Sequence, residues 1–257
     1  MKSETVSFTG SLGEELVGAI DWPDNKEVTS FALFAHCFTC SKDLRASSII
    51  SRALAEEGFA VLRFDFTGLG ESEGDFSETG FPSNMDDLVT ASEFLAEEYQ
   101  APELLIGHSL GGSAVVHVAT RIASSKAVAT IGAPYDPEHV AGLIGDDVET
   151  IRERGEATVS IGGRPFRIRR EFLETLQRDN LAETVRLMRR ALLVLHSPVD
   201  AVVGIENAAR LFDAARHPKS FVSLDDADHL LRKSQDAKYA GRLIGTWAAK
   251  YVGSKRY

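Results

Sequence analysis

The chain has 257 residues and 44% of them are hydrophobic, so it can bury the core of one large domain with a small insertion. Its formal net charge of -10 produces a field that repels phosphate backbones and anionic lipids. We therefore expect neither nucleic acids nor membrane surfaces as partners, and the charge is explained most simply by solubility.

Two short apolar runs near the start, residues 6–8 and 16–20, are predicted to pair as an antiparallel hairpin. The residues before them lack the apolar stretch of a secretory signal. No later run approaches the roughly 18 apolar residues that span a bilayer. We therefore expect a cytoplasmic protein.

From about residue 41 onward, β-branched or aromatic runs alternate with stretches whose apolar residues recur at helical spacing. Such alternation is typical of a largely parallel sheet with helices on both faces. The other predicted strands cover residues 31–35, 60–64, 104–106, 128–131, 192–195 and 221–224, and the predicted helices cover residues 47–57, 85–99, 110–123, 204–215 and 231–251. Together they predict an α/β fold with an eight-stranded, mostly parallel, doubly wound sheet.

Residues 137–190 interrupt this alternation and are far too many for an ordinary connection between two core elements. They contain a possible hairpin, with strands 157–161 and 166–168 around Gly162 and Gly163, and predicted helices on both sides. We interpret the segment as a small cap inserted over the site. The predicted core is then formed by residues 1–136 and 191–257.

The cap differs in charge from the rest of the chain. Residues 152–190 contain ten arginines and six acidic residues, a balance opposite in sign to that of the whole protein. Either these charges pair locally on a solvated helical surface, or they attract anionic substrates such as carboxylates or coenzyme A esters.

A G-x-S-x-G turn, Gly107-His108-Ser109-Leu110-Gly111, joins a predicted strand to a predicted helix. A serine at the tip of so tight a turn has a strained backbone and an exposed hydroxyl, and it requires almost no side chain two residues before and after it. Ser109 is therefore a candidate nucleophile. The alternative is a turn of small residues that serves packing alone.

A serine nucleophile needs an imidazole to take its proton and a carboxylate to orient that imidazole. Asp200 and His229 each follow a predicted strand, at the edge where functional groups gather in a doubly wound sheet. Their order after Ser109 is the order expected for this turn. The three residues form a candidate triad, although Asp200 would also suit an ordinary turn and His229 a helix cap.

The oxyanion that forms on attack needs two preorganised donors. We expect them to be the backbone amides of Leu110, at the helix start, and Phe38, in the loop after strand 31–35. The Phe38 ring, His108 and Thr39 are expected to line the pocket. This chemistry implies no metal and no organic cofactor.

Cys37 and Cys40 are the two cysteines of the chain, spaced as C-x-x-C after a predicted strand. This spacing also occurs in redox pairs, so a thiol redox protein is an alternative from another functional class. A lesser hypothesis is that oxidation of the pair distorts the loop of Phe38 and stops hydrolysis.

Two loops carry a resemblance to a known family. Residues 36–42, His-Cys-Phe-Thr-Cys-Ser-Lys, are similar to the H-G-F-T-G-x-K loop of cinnamoyl and feruloyl esterases, with cysteine at both glycine positions. Residues 64–72 resemble their D-x-x-G-x-G-x-S loop, and residues 162–164 and 171–173 resemble their cap. With the triad, these motifs identify the chain as a member of the α/β-hydrolase superfamily over nearly its whole length. It is still more similar to the hydrolase half of bacterial fusions with an osmotically inducible, peroxide-reducing protein.

The resemblance implies a serine esterase that cleaves carboxylic esters through an acyl-Ser109 intermediate. A thioesterase or an acyltransferase would use the same triad, and a catalytically silent binding module would have lost one of its members. The substrate is expected to be a small-molecule ester, and the sequence makes no prediction of the oligomeric state.

Overall fold

The computed structural model describes residues 2–24, 27–37, 39–136, 142, 144–161, 163–177 and 181–253. Ten strands lie within these residues: β1 Ser3–Thr9, β2 Glu15–Asp21, β3 Ser30–Ala35, β4 Phe59–Phe64, β5 Leu104–His108, β6 Ala127–Ile131, β7 Glu156–Ile161, β8 Arg164–Arg169, β9 Ala191–His196 and β10 Lys219–Ser223. Eight of them form one sheet in the order β1-β2-β4-β3-β5-β6-β9-β10. The first two strands pair antiparallel to their neighbours and the rest pair parallel. The predicted α/β fold with an eight-stranded, mostly parallel sheet is confirmed.

The central strands are buried along their whole length because helices cover both faces of the sheet. The helices of the described residues are α1 Arg45–Glu56, α2 Phe81–Glu98, α3 Leu110–Val118, α4 Asp147–Arg154, α5 Arg170–Gln177, α6 Leu181–Met188, α7 Glu206–Ala214 and α8 Ser234–Ala248, with a 3-10 turn at Phe76–Glu78. One apolar cluster joins α1 and α8 to one face of the sheet, and the other joins α2, α3 and the cap to the opposite face. Helices are therefore packed against both faces of the sheet, which carries the candidate active site described below.

Three predicted helices are longer than the observed ones, and one of them, predicted at 204–215, covers only Glu206–Ala214. The predicted helix 110–123 ends at Val118, where the Ser125 hydroxyl donates a hydrogen bond of 2.7 Å to the Ala119 carbonyl. The predicted helix 231–251 begins only at Ser234, because Leu231 has a φ of 49° that is incompatible with a right-handed helix. Local side-chain bonds and backbone geometry override apolar spacing at both ends.

The cap hairpin follows its prediction, with β7 and β8 paired antiparallel as a sheet of their own. Gly163 adopts a φ of 81° in its turn, whereas Gly162 lies outside the described residues. The hairpin contacts the core through Phe166, whose ring meets that of Phe76 edge to face at 5.6 Å. The limits of the cap and core, at residues 136/137 and 190/191, stay a prediction.

Several cap arginines form ion pairs with nearby acidic side chains. Arg152 pairs with Glu149, Arg167 with Glu156, and Arg186 with Glu183, while Arg169 reaches Glu78 in the 3-10 turn. These contacts agree with local pairing of the cap charges.

Within the described part of the chain, no helix is both long enough and apolar enough to cross a membrane.

Candidate active site

Ser109 stands between β5 and α3 with a φ of 55° and a ψ of -128°, a conformation that is costly for a residue with a side chain. Its two flanking glycines make this turn possible. A Cβ atom on Gly107 would lie 2.2 Å from the Gly111 carbonyl oxygen, and one on Gly111 would lie 2.4 Å from the His36 carbonyl oxygen. The turn therefore tolerates no side chain at either position, as its strand-turn-helix setting predicts.

The structure brings Ser109, Asp200 and His229 together. His229 Nε2 lies 3.0 Å from Ser109 Oγ, and His229 Nδ1 lies 2.8 Å from Asp200 Oδ2. These distances allow the serine hydroxyl to donate to Nε2 while Nδ1–H donates to the carboxylate. Ser109 follows β5, Asp200 follows β9 and His229 follows β10, so all three project from the carboxyl ends of parallel strands.

Asp200 is positioned and kept ionised by its own hydrogen bonds. Its Oδ1 accepts the backbone amides of Val202 and Val203 at 2.8 and 2.9 Å, and its Oδ2 accepts from His229. Burial raises the pKa of Asp200, but the hydrogen bonds from His229 and these amides lower it by more than burial raises it. The net pKa therefore lies below its usual value. A negative charge thus faces Nδ1 of His229 at neutral pH.

Two other histidines support the site through backbone carbonyls. His108 was expected to line the pocket; its Nε2–H instead donates to the carbonyl of His229 at 2.6 Å. Burial, reinforced by nearby His229, lowers the pKa of His108 to about 3, so the ring is neutral and suited to this bond. His196 similarly donates to the Val203 carbonyl at 2.8 Å and lies 3.7 Å from the Asp200 carboxylate.

The predicted oxyanion hole is described in part. Leu110 is the first residue of α3, where a backbone amide is left free by the helix, and its side chain is buried. Phe38 lies outside the described residues, so its amide stays a prediction. On either side of it, Cys37 and Cys40 are joined by a disulfide, and Thr39 has a φ of 60°. The cysteines therefore cross-link the loop on which the second donor is expected.

Lys42, at the end of the same loop, belongs to a buried ionic network that sequence reasoning missed. Its backbone amide and its Nζ donate to the two carboxylate oxygens of Asp65 at 2.6 and 3.0 Å, and Nζ also pairs with Glu71. Burial lowers the pKa of Lys42, but hydrogen bonds to Glu71 and Asp65 raise it more, and the net pKa lies above its usual value. The loop that begins at His36 is therefore fixed at its far end by a charged Lys42.

Gly132, which follows β6, was also missed. It has a φ of 55°, and a Cβ atom there would lie 3.2 Å from Asp200 Oδ2 and 3.3 Å from His229 Nδ1. In the sequence, the signal for this residue is a glycine directly after the predicted strand 128–131. That strand pairs with β5, which leads to Ser109.

Two cavities meet at Thr39. The first is a narrow crevice of about 10 Å³, room for one water molecule, and lies between the His36 loop, the 3-10 turn and the first turns of α2 and α3. The second is a wider surface groove between Cys40, Arg45 and the cap hairpin tip at Arg164, and it reaches Leu230 beside His229.

Among the described residues, no group of His, Cys, Asp and Glu is arranged to hold a metal ion.

Comparison with solved structures gives long matches. The esterase domain of a Rhodothermus marinus protein is 55% identical, with a TM-score of 0.82 over 98% of this chain and 100% of that one. Est1E of Butyrivibrio proteoclasticus, solved with ferulic acid bound, shares 18% identity and a TM-score of 0.79 over 96% of this chain and 98% of that one. The second match, at low identity, supports the fold alone.

Curated relatives are more distant. Mouse palmitoyl-protein thioesterase ABHD10 is 28% identical over 70% of this chain and 59% of its own length. The uncharacterised protein YfhR of Salmonella typhimurium is 25% identical over 89% of this chain and 75% of its own. The family model described as the alpha/beta hydrolase family matches residues 32–242. With that match and the sheet described above, this chain belongs to the alpha/beta hydrolase family.

Proposed function

We propose that this protein is a serine hydrolase that cleaves carboxylic esters through an acyl-Ser109 intermediate. The observation that carries the proposal is the pair of hydrogen bonds that links Ser109 Oγ, the His229 ring and the Asp200 carboxylate, at 3.0 and 2.8 Å. The 55% identity to a Rhodothermus marinus esterase domain supports the same reaction class.

In this mechanism, Ser109 Oγ attacks the ester carbonyl carbon while His229 Nε2 takes its proton. The amide of Leu110, and by expectation that of Phe38, donate to the oxyanion of the tetrahedral intermediate. The intermediate then collapses, and His229 returns the proton to the leaving alcohol. Water, activated by the same imidazole, attacks the acyl-enzyme and releases the acid, while Asp200 stabilises the imidazolium in each half-reaction.

Replacement of Ser109 tests the proposal. We expect Ser109→Ala to lower kcat for an aryl ester such as 4-nitrophenyl acetate by about four to six orders of magnitude, because the variant lacks the hydroxyl that contacts His229 Nε2. A fluorophosphonate probe should label the wild type and not this variant. Ser160→Ala, an exposed serine of the cap hairpin, is the control and should be labelled normally. Near wild-type turnover by Ser109→Ala would remove the proposal.

A thioester substrate is the second candidate, favoured by the 28% identity to palmitoyl-protein thioesterase ABHD10. The same intermediate forms from an ester or a thioester, so the leaving group decides between them. Ethyl butyrate and S-ethyl thiobutyrate share one acyl group and separate the two cases. The ratio of kcat/KM for the thioester to kcat/KM for the ester is compared with the ratio of their rates of hydrolysis by hydroxide. An enzymatic ratio at least tenfold above the hydroxide ratio would assign a thioesterase.

A further inference from the structure

The His229 loop, residues 225–233, lies between β10 and α8 and is largely exposed. Among the described residues, its backbone-to-backbone hydrogen bonds stay within residues 224–237. In the same part of the chain, the hydrogen bond that ties its backbone to the sheet comes from a side chain: His108 Nε2–H donates to the His229 carbonyl at 2.6 Å. This polar contact, together with the buried side chains of Ala227 and Leu231, fixes where the loop lies relative to the sheet.

His108 is well suited to hold this carbonyl. It is the last residue of β5, and its side chain is 1% exposed, so water does not compete for the bond. A carbonyl oxygen only accepts, which means that Nε2 of His108 must carry a proton. Burial keeps the ring neutral by lowering its pKa to about 3, and Nδ1 is then the nitrogen without a proton.

The position of His108 in the chain links the candidate nucleophile to the candidate base. His108 directly precedes Ser109, and its ring centroid lies 5.1 Å from that of His229. The bond from its side chain therefore sets the distance between the backbones that carry Ser109 and His229. Proton transfer requires a heavy-atom distance of about 2.6–3.2 Å, and His229 Nε2 lies 3.0 Å from Ser109 Oγ, near the upper end of that range.

We propose that His108 is a positioning residue whose hydrogen bond to the His229 carbonyl holds the imidazole within reach of Ser109, an inference that rests on the proposed ester hydrolysis. Asp200 orients the ring through Nδ1, and His108 holds the backbone from which that ring projects. His229 moves the proton in acylation and in deacylation, so both half-reactions depend on this bond.

A pair of substitutions of similar size and length separates the hydrogen bond from the packing of the ring. His108→Gln keeps an N–H donor, whereas His108→Met has none. We expect His108→Met to lower kcat for 4-nitrophenyl acetate by about 100-fold with KM within about threefold, because a displacement of about 1 Å costs this much. His108→Gln should recover at least tenfold of that loss. A kcat for His108→Met less than tenfold below the wild type, or equal kcat values for the two variants, would overturn the proposal.

Asp228→Ala is the control within the same loop. It removes the bond that Asp228 Oδ1 accepts from the Arg232 amide at 3.0 Å, which is internal to the loop, and leaves the bond from His108. We expect its kcat to stay within about threefold of the wild type. A loss as large as that of His108→Met would overturn the proposal, because any loosening of the loop would then have the same effect. Urea unfolding midpoints establish that each variant is folded under the assay conditions.

Nitrogen-15 NMR of the wild type tests the bond without a variant. The His108 ring, identified by its proximity to the His229 ring, should carry its proton on Nε2 from pH 5 to pH 8, and a proton on Nδ1 would overturn the proposal. Fluorophosphonate labelling separates this inference from the proposed function. A wild type without turnover or labelling refutes ester hydrolysis and the inference with it, whereas a labelled, active wild type with an overturning result at His108 refutes the positioning role alone.

Discussion

The two oxygens of Asp200 face different donors, and this decides what an asparagine would do there. Oδ2 accepts the Nδ1 proton of His229, and Oδ1 accepts the amides of Val202 and Val203. Asparagine can keep an oxygen for the two amides, and its NH₂ group then faces His229. That group donates to Nδ1 and moves the ring proton to Nε2, which can no longer accept from Ser109.

We therefore expect Asp200→Asn to fold and to lower kcat by about four orders of magnitude, the loss known for this exchange in a serine protease triad. The kcat for an aryl ester, measured together with the urea unfolding midpoint, checks the prediction. Asp226→Asn is the control, since this exposed aspartate precedes His229 in the same loop. A kcat within tenfold of the wild type for Asp200→Asn would contradict its role.

Residues that follow predicted strands were easier to find than residues that meet across loops. Ser109, Asp200 and His229 each follow an apolar run within five residues, and parallel strands bring such positions to one edge. Asp65 also follows a predicted strand, but its contact with Lys42 depends on how two loops fold together, which no periodicity reveals.

At the level of elements, the turn between β5 and α3 is packed closely against the end of β3. A Cβ atom on Gly111 would lie 2.4 and 2.5 Å from the carbonyl oxygens of His36 and Ala35, which are backbone atoms at the end of β3. We expect Gly111→Ala to lower the free energy of unfolding by at least about 2 kcal/mol, because the strand end must shift to relieve the clash.

Urea denaturation monitored by circular dichroism measures this loss. Gly142→Ala is the matched control, because a Cβ atom there has nothing within 4 Å. If both variants unfold at the wild-type midpoint, the close packing of the turn against β3 is refuted.

The strands and the cap hairpin were predictable because each is a short run bounded by turn residues, and burial on both faces makes the central strands uniformly apolar. Helix ends were less predictable. The early end of α3 depends on the Ser125 hydroxyl, and the late start of α8 depends on the backbone of Leu231. Apolar spacing contains neither of these interactions.

Across the whole molecule, buried groups near the site make folding sensitive to acid. The unfolded chain protonates His108 near its ordinary pKa of 6.5, whereas the folded chain resists until about pH 3. The unfolded state therefore binds more protons between these values, and the stability present above pH 6.5 falls as the pH is lowered. The lowered pKa of Asp200 acts in the same direction at more acidic pH, because its contribution is lost as the carboxylate becomes protonated.

We expect the free energy of unfolding to fall from pH 7 to pH 4, with His108 contributing up to about 1.4 kcal/mol per pH unit between pH 4 and 6. Urea titrations at each pH measure this slope. His108→Gln should reduce it, while Ser160→Ala, which replaces an exposed side chain that carries no charge, should leave it unchanged. Identical slopes for His108→Gln and the wild type would contradict a buried neutral imidazole at position 108.

The Cys37–Cys40 disulfide couples the candidate oxyanion loop to the thiol chemistry of its surroundings. Thermodynamic linkage is reciprocal: if the cross-link tightens binding of a transition-state analogue by some factor, the bound analogue makes the bond harder to reduce by the same factor. Occupancy by ligand then protects the sulfurs from a dithiol, and assays run with and without reductant compare two chemically different catalysts.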